Sequence, residues 1–253
     1  MTMTTMEVAE VTAAPILQFG RAWMMAPGTA ERAGELGLAE SGRFGFWVNG
    51  RAGVLGEVDR HIATAAIGFM APAELAKHWN GRPDDLSAWD AALAWFDCAA
   101  VWGREALADM PEASVRRLAD LAATVIRGAD LSYGALFAGS AMIPLPGDAA
   151  GDATVNLNVL REMRGGAHLS ASHAAGLGPH ATIMSTDDPI RGGASWAEGF
   201  GWTAPHPAGD QAARAEVEAM TTKATARAFE SLSPEERREF AELVTQARAQ
   251  LPD

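Results

Sequence analysis

The stretch SAWDAALAWFDCAAVWGREALA, residues 87–108, carries the clearest indication of the fold. Ser87 is a residue type that favours a helix N-cap, and Asp90, three residues later, lies where a negative charge stabilises the first turn. The apolar side chains that follow, Trp89 and Trp95 among them, occur on nearly every face of the predicted helix. Such a helix must be covered by other elements, so we expect it at the centre of a helical bundle and more buried than any other.

The same periodicity and capping signals recur along the chain. The segment ASVRRLADLAATVIRG, residues 113–128, has apolar positions at helical spacing and ends at a glycine. Near the C-terminus, Ser233 precedes Pro234 and Glu236, the pattern of a capping box with proline at the first helical position. These signals predict an all-α, multi-helix bundle of about nine to eleven helices with minor β structure.

Two glycine-rich segments are predicted to interrupt the helices. Residues 42–58 lack a helical period and are interpreted as an extended or turning segment. The helix that contains the arginine pair at 161 and 164 is expected to stop at Gly165 and Gly166, and a short helix that closes at Gly176 is expected to follow.

The domain organisation follows from the same signals. Residues 1–12 are expected to be a disordered tail, and residues 13–253 a single helical domain. A helix, a short helix and a glycine-rich turn occur twice in similar order, which suggests a duplicated helix-turn-helix-like unit with pseudo-repeat halves 13–128 and 129–253.

Composition disfavours several classes of function. The chain has 32 acidic and 20 basic residues, a formal net charge of −12. Because DNA-binding domains neutralise phosphates, we expect nucleic acid to be an unlikely partner and affinity for duplex DNA to be negligible at physiological salt. The single cysteine, Cys98, lies in an apolar run and is interpreted as a core thiol; one cysteine also excludes the usual cysteine-rich zinc sites within one chain.

Targeting signals are not recognised in the sequence. The first fifteen residues lack a basic region followed by an apolar stretch, and no window reaches the ~18 apolar residues of a membrane span. We therefore expect a cytoplasmic protein that does not insert into a membrane, and a homodimer is an open option.

The densest group of candidate functional residues is the motif R-E-x-R-G-x-x-H, which places Arg161, Arg164 and His168 close together. Two arginines on one helical face suit an anionic or carbonyl substrate, and a neutral histidine beside them can move a proton. His168 is therefore the candidate catalytic residue, and the two arginines are candidate substrate-binding residues. In the alternative interpretation, Glu162 and nearby acids simply pair with these arginines.

A second candidate group lies in the glycine-rich segment, where Trp47, Asn49 and Arg51 are taken as substrate-binding residues. Polar groups in an apolar segment need partners or a ligand. The alternatives are that Arg51 pairs with Glu57 or Asp59, and that Asn49 closes a tight turn with the glycine that follows it.

No metal site is predicted, and the sequence leaves open whether the protein binds a cofactor. His168 and His173 are five residues apart, about 140° around a helix, so they cannot bind one ion from the same helix. A pairing of His168 with His180 or His206 across a turn stays open.

The motifs resemble those of an actinobacterial family of helix-turn-helix or winged-helix-like proteins. One matching stretch is GFW at 45–47, followed by Gly-Arg at 50–51 and Leu-Gly at 55–56. The other is LREMRGGAH at 160–168, where the family has LREHRGDGH. The sequence departs from the family at Met163 and Gly166. The segment between Trp202 and Glu216 is also short, so the C-terminal winged element is expected to be shortened.

Taken together, these observations predict a small-molecule-binding helical protein. Its pocket is expected between helices lined by Trp and Met, with residues 185–206 as a lid and with His168 facing the pocket rather than His173 or His180. A natural-product biosynthetic enzyme that uses His and Arg for acid–base chemistry is one form of this hypothesis, and the sequence leaves open whether a reaction is catalysed. The alternative, which the resemblance implies, is a ligand-responsive winged-helix transcriptional regulator.

Overall fold

A computed structural model describes residues 2–186 and 193–251 and shows a helical protein. These residues form thirteen α-helices joined by loops and four short 3₁₀ turns, and they contain no strand. The all-α prediction is therefore confirmed, while the expected minor β structure is not found in the described ranges. The helices are α1 (Thr5–Ala22), α2 (Pro27–Glu35), α3 (Gly45–Ala52), α4 (Arg60–Ile67), α5 (Pro72–Asn80), α6 (Ala88–Ala106), α7 (Glu112–Gly128), α8 (Ala135–Ser140), α9 (Ala149–Ala174), α10 (Pro179–Met184), α11 (Gly193–Gly199), α12 (Gln211–Ala226) and α13 (Pro234–Ala249).

The centre of the bundle is α9, around which α1, α6, α7, α8 and α12 pack. Residues 151–160 of this helix are buried on every face. The helix at 87–108, expected to be the most buried, instead leaves Val101 exposed on one side. The sequence concealed the central role of α9 because polar residues interrupt its apolar run; one of them, Asn156, is satisfied by donating to the carbonyl of Ala119.

The prediction that Gly165 and Gly166 end a helix is wrong, because α9 continues through both to Ala174. A Cβ on Gly166 would lie 2.2 Å from the carbonyl oxygen of Tyr133, so glycine is needed here for close packing. The helix ends just before Gly176, whose φ of 77° matches the predicted glycine stop. His168 therefore lies within a continuous helix and not after a change of direction.

The N-terminal segment is helical, which corrects the expectation of a disordered tail. Thr4 and Glu7 form a capping box at the start of α1, and Val8 and Thr12 are buried. Pro15 lies inside the helix rather than at its beginning. The apolar face of α1 packs on α9 and α13, and this tertiary contact stabilises a segment that its local sequence alone does not mark as ordered.

The glycine-rich segment at 42–58 is also helical over Gly45–Ala52, although it was expected to be extended. The glycines allow α3 to approach α6 closely: a Cβ on Gly50 would lie 2.5 Å from Trp95, and one on Gly53 would lie 2.1 Å from the carbonyl oxygen of Ala88. Close helix packing, rather than a break in the helix, explains these glycines.

Capping predictions are confirmed at two helices. Ser87 accepts a hydrogen bond from the backbone N–H of Asp90 at the start of α6, and Ser233 and Glu236 form the predicted capping box of α13. In the described part of the chain, no helix has the length and apolar character needed to cross a bilayer.

Candidate functional site

A cavity of about 730 Å³ lies between α1, α3, α4, α9 and α12. Residues 161–170 of α9 supply many of its wall positions, and apolar side chains of α1 and α4 supply others. The aromatic side chains that line it are Trp47, Phe69, Tyr133, Phe137 and Phe200. Most of the wall is therefore apolar, and its charged groups fall into two clusters.

The first group, here called the inner arginine cluster, consists of Arg51, Arg161 and Glu162. Arg51 donates to both carboxylate oxygens of Glu162, from Nε to Oε1 over 2.9 Å and from Nη2 to Oε2 over 2.7 Å. Arg161 donates from Nη1 to Oε1 over 2.8 Å. The Arg51 guanidinium also lies 4.4 Å from the ring centroid of Trp47, four residues earlier on α3.

The inner arginine cluster keeps a positive charge. Burial alone would raise the pKa of Glu162, but the guanidiniums of Arg51 and Arg161 hold it below its usual value. Burial lowers the pKa of Arg161 to about 10 against the attraction of Glu162, so this side chain stays protonated at neutral pH. Two guanidiniums therefore share one carboxylate. The Nε of Arg161 is buried and has no hydrogen-bond partner among the described residues.

The second group, the outer arginine cluster, consists of Arg164, Arg214 and Glu218. Arg164 and Arg214 each place an Nη2 2.5 Å from Glu218, the former on Oε2 and the latter on Oε1. Arg214 and Glu218 lie one turn apart on α12, and Arg164 reaches them from α9. Burial would raise the pKa of Glu218, but the two arginines lower it.

His168 lies beside the outer arginine cluster. Its Nε2 is 3.2 Å from Nη1 of Arg214, and its Nδ1 is 3.3 Å from the hydroxyl of Thr221. Because that hydroxyl donates to the carbonyl of Val217, it must accept from His168, so we assign the proton to Nδ1 and the lone pair to Nε2.

The environment of His168 makes it a weak base. Burial and the positive charge of Arg214 lower the pKa of His168 to about 4, although Glu218 opposes this shift. At neutral pH the imidazole is therefore uncharged, and its lone pair already accepts a hydrogen bond from Arg214. This geometry suits hydrogen bonding and positioning better than proton abstraction.

The structure brings most of the candidate residues together and leaves one out. Asn49 is fully buried in α3 and donates to the carbonyls of Gly45 and His78, at 3.0 and 2.8 Å. It is not among the described lining residues, and it lies in a helix rather than in the alternative tight turn. The candidates that line the cavity are Trp47, Arg51, Arg161, Arg164 and His168.

The alternative interpretations have mixed outcomes. Glu162 does pair with Arg161 and Arg51, as the alternative for the arginine motif expected, yet these groups also line the cavity. Neither Glu57 nor Asp59 is the partner described for Arg51; Glu57 instead pairs with Arg82. The same arginines and glutamate therefore form ion pairs with one another and also line the cavity.

Sequence reasoning missed Arg214, Glu218 and Phe200. The arginine and the glutamate have the i,i+4 spacing of a helical ion pair, which is a usable signal. The pair lies near the start of α12, which begins at Gln211 and is capped by the side chain of Asp210.

His180 and His206 pair with each other and not with His168. His180 and His206 face each other with Nε2 2.9 Å from Nδ1, and the His180 ring stacks on Trp202 at 4.7 Å. Groups of three or more metal-ligating side chains are not found within residues 2–186 and 193–251. The expected lid at 185–206 falls partly outside the described residues, which omit 187–192; of the rest, Gly193–Gly199 is helical and Phe200 lines the cavity.

Cys98 is partly buried in α6 and is not one of the described lining residues. Burial and, to a lesser extent, the neighbouring charge of Asp97 raise the pKa of its thiol to about 11. The thiol is therefore protonated at neutral pH, as suits a structural residue rather than a nucleophile.

Comparison with known proteins places the chain in a family. A family model described as a helix-turn-helix family matches residues 12–253, so the protein belongs to that helix-turn-helix family. No curated protein and no solved structure matches the chain.

Proposed function

We propose that this protein binds a small organic anion with an apolar body in the cavity between α1, α3, α4, α9 and α12. One observation carries the proposal. The described lining residues include four arginines and two glutamates, an excess of two positive charges, whereas the whole chain has a formal net charge of −12. Positive charge gathered in a mostly apolar wall of an acidic protein favours an anionic ligand, because charges interact strongly where water is scarce.

The rest of the wall supports a ligand with an apolar body. Apolar side chains from α1, α4 and α8 face the arginines, and the Trp47 ring stacks on Phe200 with centroids 5.6 Å apart. A volume of about 730 Å³ lies within the range of small-molecule sites, roughly 300–1,000 Å³. A ligand that places its charge at the arginines and its body against these side chains would satisfy both parts of the wall.

His168 serves this function as a positioning residue. Its lone pair holds Arg214 in place, and its Nδ1–H is held in turn by Thr221. A catalytic role as a base would require the ligand to displace Arg214 from Nε2. Binding without proton transfer therefore needs fewer changes in the site than catalysis does.

Calorimetry with a matched pair of probes tests the proposal. Octanoate and 1-octanol share a chain length and differ in charge, so we expect octanoate to bind roughly tenfold or more tightly, as a charge-assisted hydrogen bond implies. Arg51→Gln should weaken octanoate binding by a similar factor. Arg104→Gln is the matched control because Arg104 pairs with Asp148 outside the cavity wall. Equal affinity for the two probes would contradict the proposal.

A ligand-controlled DNA-binding regulator is the second candidate, and membership of the helix-turn-helix family favours it. The net charge of −12 opposes it, because duplex DNA repels an acidic protein. Retention on random-sequence duplex DNA, measured as salt is raised, separates the two. We expect no retention at physiological salt; retention that weakens steeply with salt, and that octanoate changes, would favour the regulator.

A further inference from the structure

We infer that the ligand carries two separate anionic groups, one bound by the inner and one by the outer arginine cluster. This inference rests on the proposed function and specifies the class of ligand: an organic dianion whose charged groups, carboxylates or phosphates, are joined by an apolar body.

Each cluster has the same composition and the same residual charge. In the inner arginine cluster both oxygens of Glu162 are occupied by Arg51 and Arg161. In the outer arginine cluster Arg164 contacts one oxygen of Glu218 and Arg214 the other. Each carboxylate therefore neutralises one of two guanidiniums, and each cluster keeps one positive charge.

The two positive charges belong to different places in the wall. Arg161 and Arg164 are three residues apart on α9, which separates their Cα atoms by about 60° around the axis. The inner cluster joins α9 to α3, and the outer cluster joins α9 to α12. None of the hydrogen bonds or ion pairs between described residues links one cluster to the other. A single small anion at one cluster would leave the charge of the other uncompensated.

Both clusters have donors to spare. A guanidinium has five N–H groups. Arg51 uses its Nε and Nη2 on Glu162, which leaves Nη1 for a ligand. In the outer cluster Arg164 donates to Glu218 from its Nη2. The N–H groups that Arg51 and Arg164 do not use on the two glutamates can donate to a ligand that accepts hydrogen bonds at both places.

Calorimetry with the full chain and acids of matched length tests the inference. The probes are α,ω-dicarboxylates of six to twelve carbons, each paired with the monocarboxylate of the same length. We expect at least one dicarboxylate to bind about 10- to 100-fold more tightly than its monocarboxylate partner, the effect of one additional charge-assisted contact. The length that binds best then reports the separation of the two clusters.

Two variants assign the charges to the clusters. Arg51→Gln removes the excess charge of the inner cluster, and Arg214→Gln that of the outer cluster. Each variant should reduce the affinity for the preferred dicarboxylate to about that for the monocarboxylate. The control Arg104→Gln should leave both affinities unchanged. Circular dichroism melting of each variant verifies that it is folded before its affinity is compared.

The outcomes separate the inference from the proposed function. If mono- and dicarboxylates bind equally at every length, the inference is wrong, whereas anion binding in the cavity stands. If dicarboxylates bind more tightly but neither arginine variant reduces the preference, the second charge is held elsewhere and the inference also fails. If no acid of either series binds, the proposed function and the inference fail together.

Discussion

The two arginine clusters on α9 are built from the same groups but differ in burial. In the inner cluster the Glu162 side chain is 3% exposed and Arg51 is 10% exposed; in the outer cluster Glu218 is 36% exposed and Arg214 is 25% exposed. The inner cluster therefore holds α3 against α9 with nearly dry ion pairs. The outer cluster keeps contact with solvent and supports His168. In our proposal both clusters bind an anionic group, so the difference in burial should appear mainly in how much each carboxylate contributes to stability.

The largest expected effect is at the inner carboxylate. Glu162→Gln leaves two neighbouring buried guanidiniums without a counter-charge, so we expect a loss of about 3–5 kcal/mol in the free energy of unfolding. The matched change Glu218→Gln should cost about 1 kcal/mol or less, because that carboxylate is partly solvated. Urea unfolding of both variants measures this difference. Equal losses would show that the difference in burial has no energetic consequence.

The next effect concerns pH. The pKa of His168 is lowered to about 4 by burial and by Arg214, whereas an unfolded histidine has a pKa near 6.5. The unfolded chain therefore binds the proton first, and stability is lost as the pH falls from about 6.5 towards 4, by at most about 3 kcal/mol. Arg164 also faces the ring and lowers its pKa, while Glu218 raises it.

The variant His168→Gln tests this pH effect, because glutamine can still accept from Arg214 but does not titrate. Its unfolding free energy should fall less steeply than that of the wild type between pH 6.5 and 4. His61→Gln is the control, since His61 is exposed and lies outside the described cavity wall. A slope in His168→Gln as steep as that of the wild type would mean that His168 titrates normally in the folded state.

The smallest effects concern the continuity of α9, the helix that contributes residues to both clusters. Gly166→Ala places a Cβ against the carbonyl of Tyr133 and should destabilise the protein by about 1–3 kcal/mol. Gly165→Ala meets only Glu162 at 4.0 Å and should be neutral or stabilise the helix by up to about 1 kcal/mol. Thermal melting compares the pair. If both substitutions stabilised, the close approach of Tyr133 to α9 would be absent.

Local sequence signals were sufficient to predict the fold class and several helix boundaries. Capping residues such as Ser87 and Ser233 act within one turn, so their effect can be recognised without tertiary structure. Glycines were misinterpreted because the sequence does not distinguish a break from close packing. At Gly50 and Gly166 the decisive contact is with Trp95 and Tyr133, which lie far away in the sequence.

Local motifs also predicted several residues of the candidate site, but not how they pair. The motif that contains Arg161, Arg164 and His168 supplied three of the lining residues, and the segment around Trp47 supplied two more. The pairing of Arg51 with Glu162 joins residues 111 positions apart, and no local pattern indicates it. Asn49 bonds two backbone carbonyls, and the sequence does not distinguish a buried amide of this kind from one that binds a ligand.

The most direct measurement is a crystal structure of the protein with 2-bromooctanedioate, in which anomalous scattering from bromine locates the acid. We expect the bromine inside the cavity, one carboxylate about 2.7–2.9 Å from a nitrogen of Arg51 or Arg161, and the other at the same distance from Arg164 or Arg214. An acid bound on the outer surface, or a cavity filled by the protein's own side chains with no acid inside, would contradict anion binding at this site.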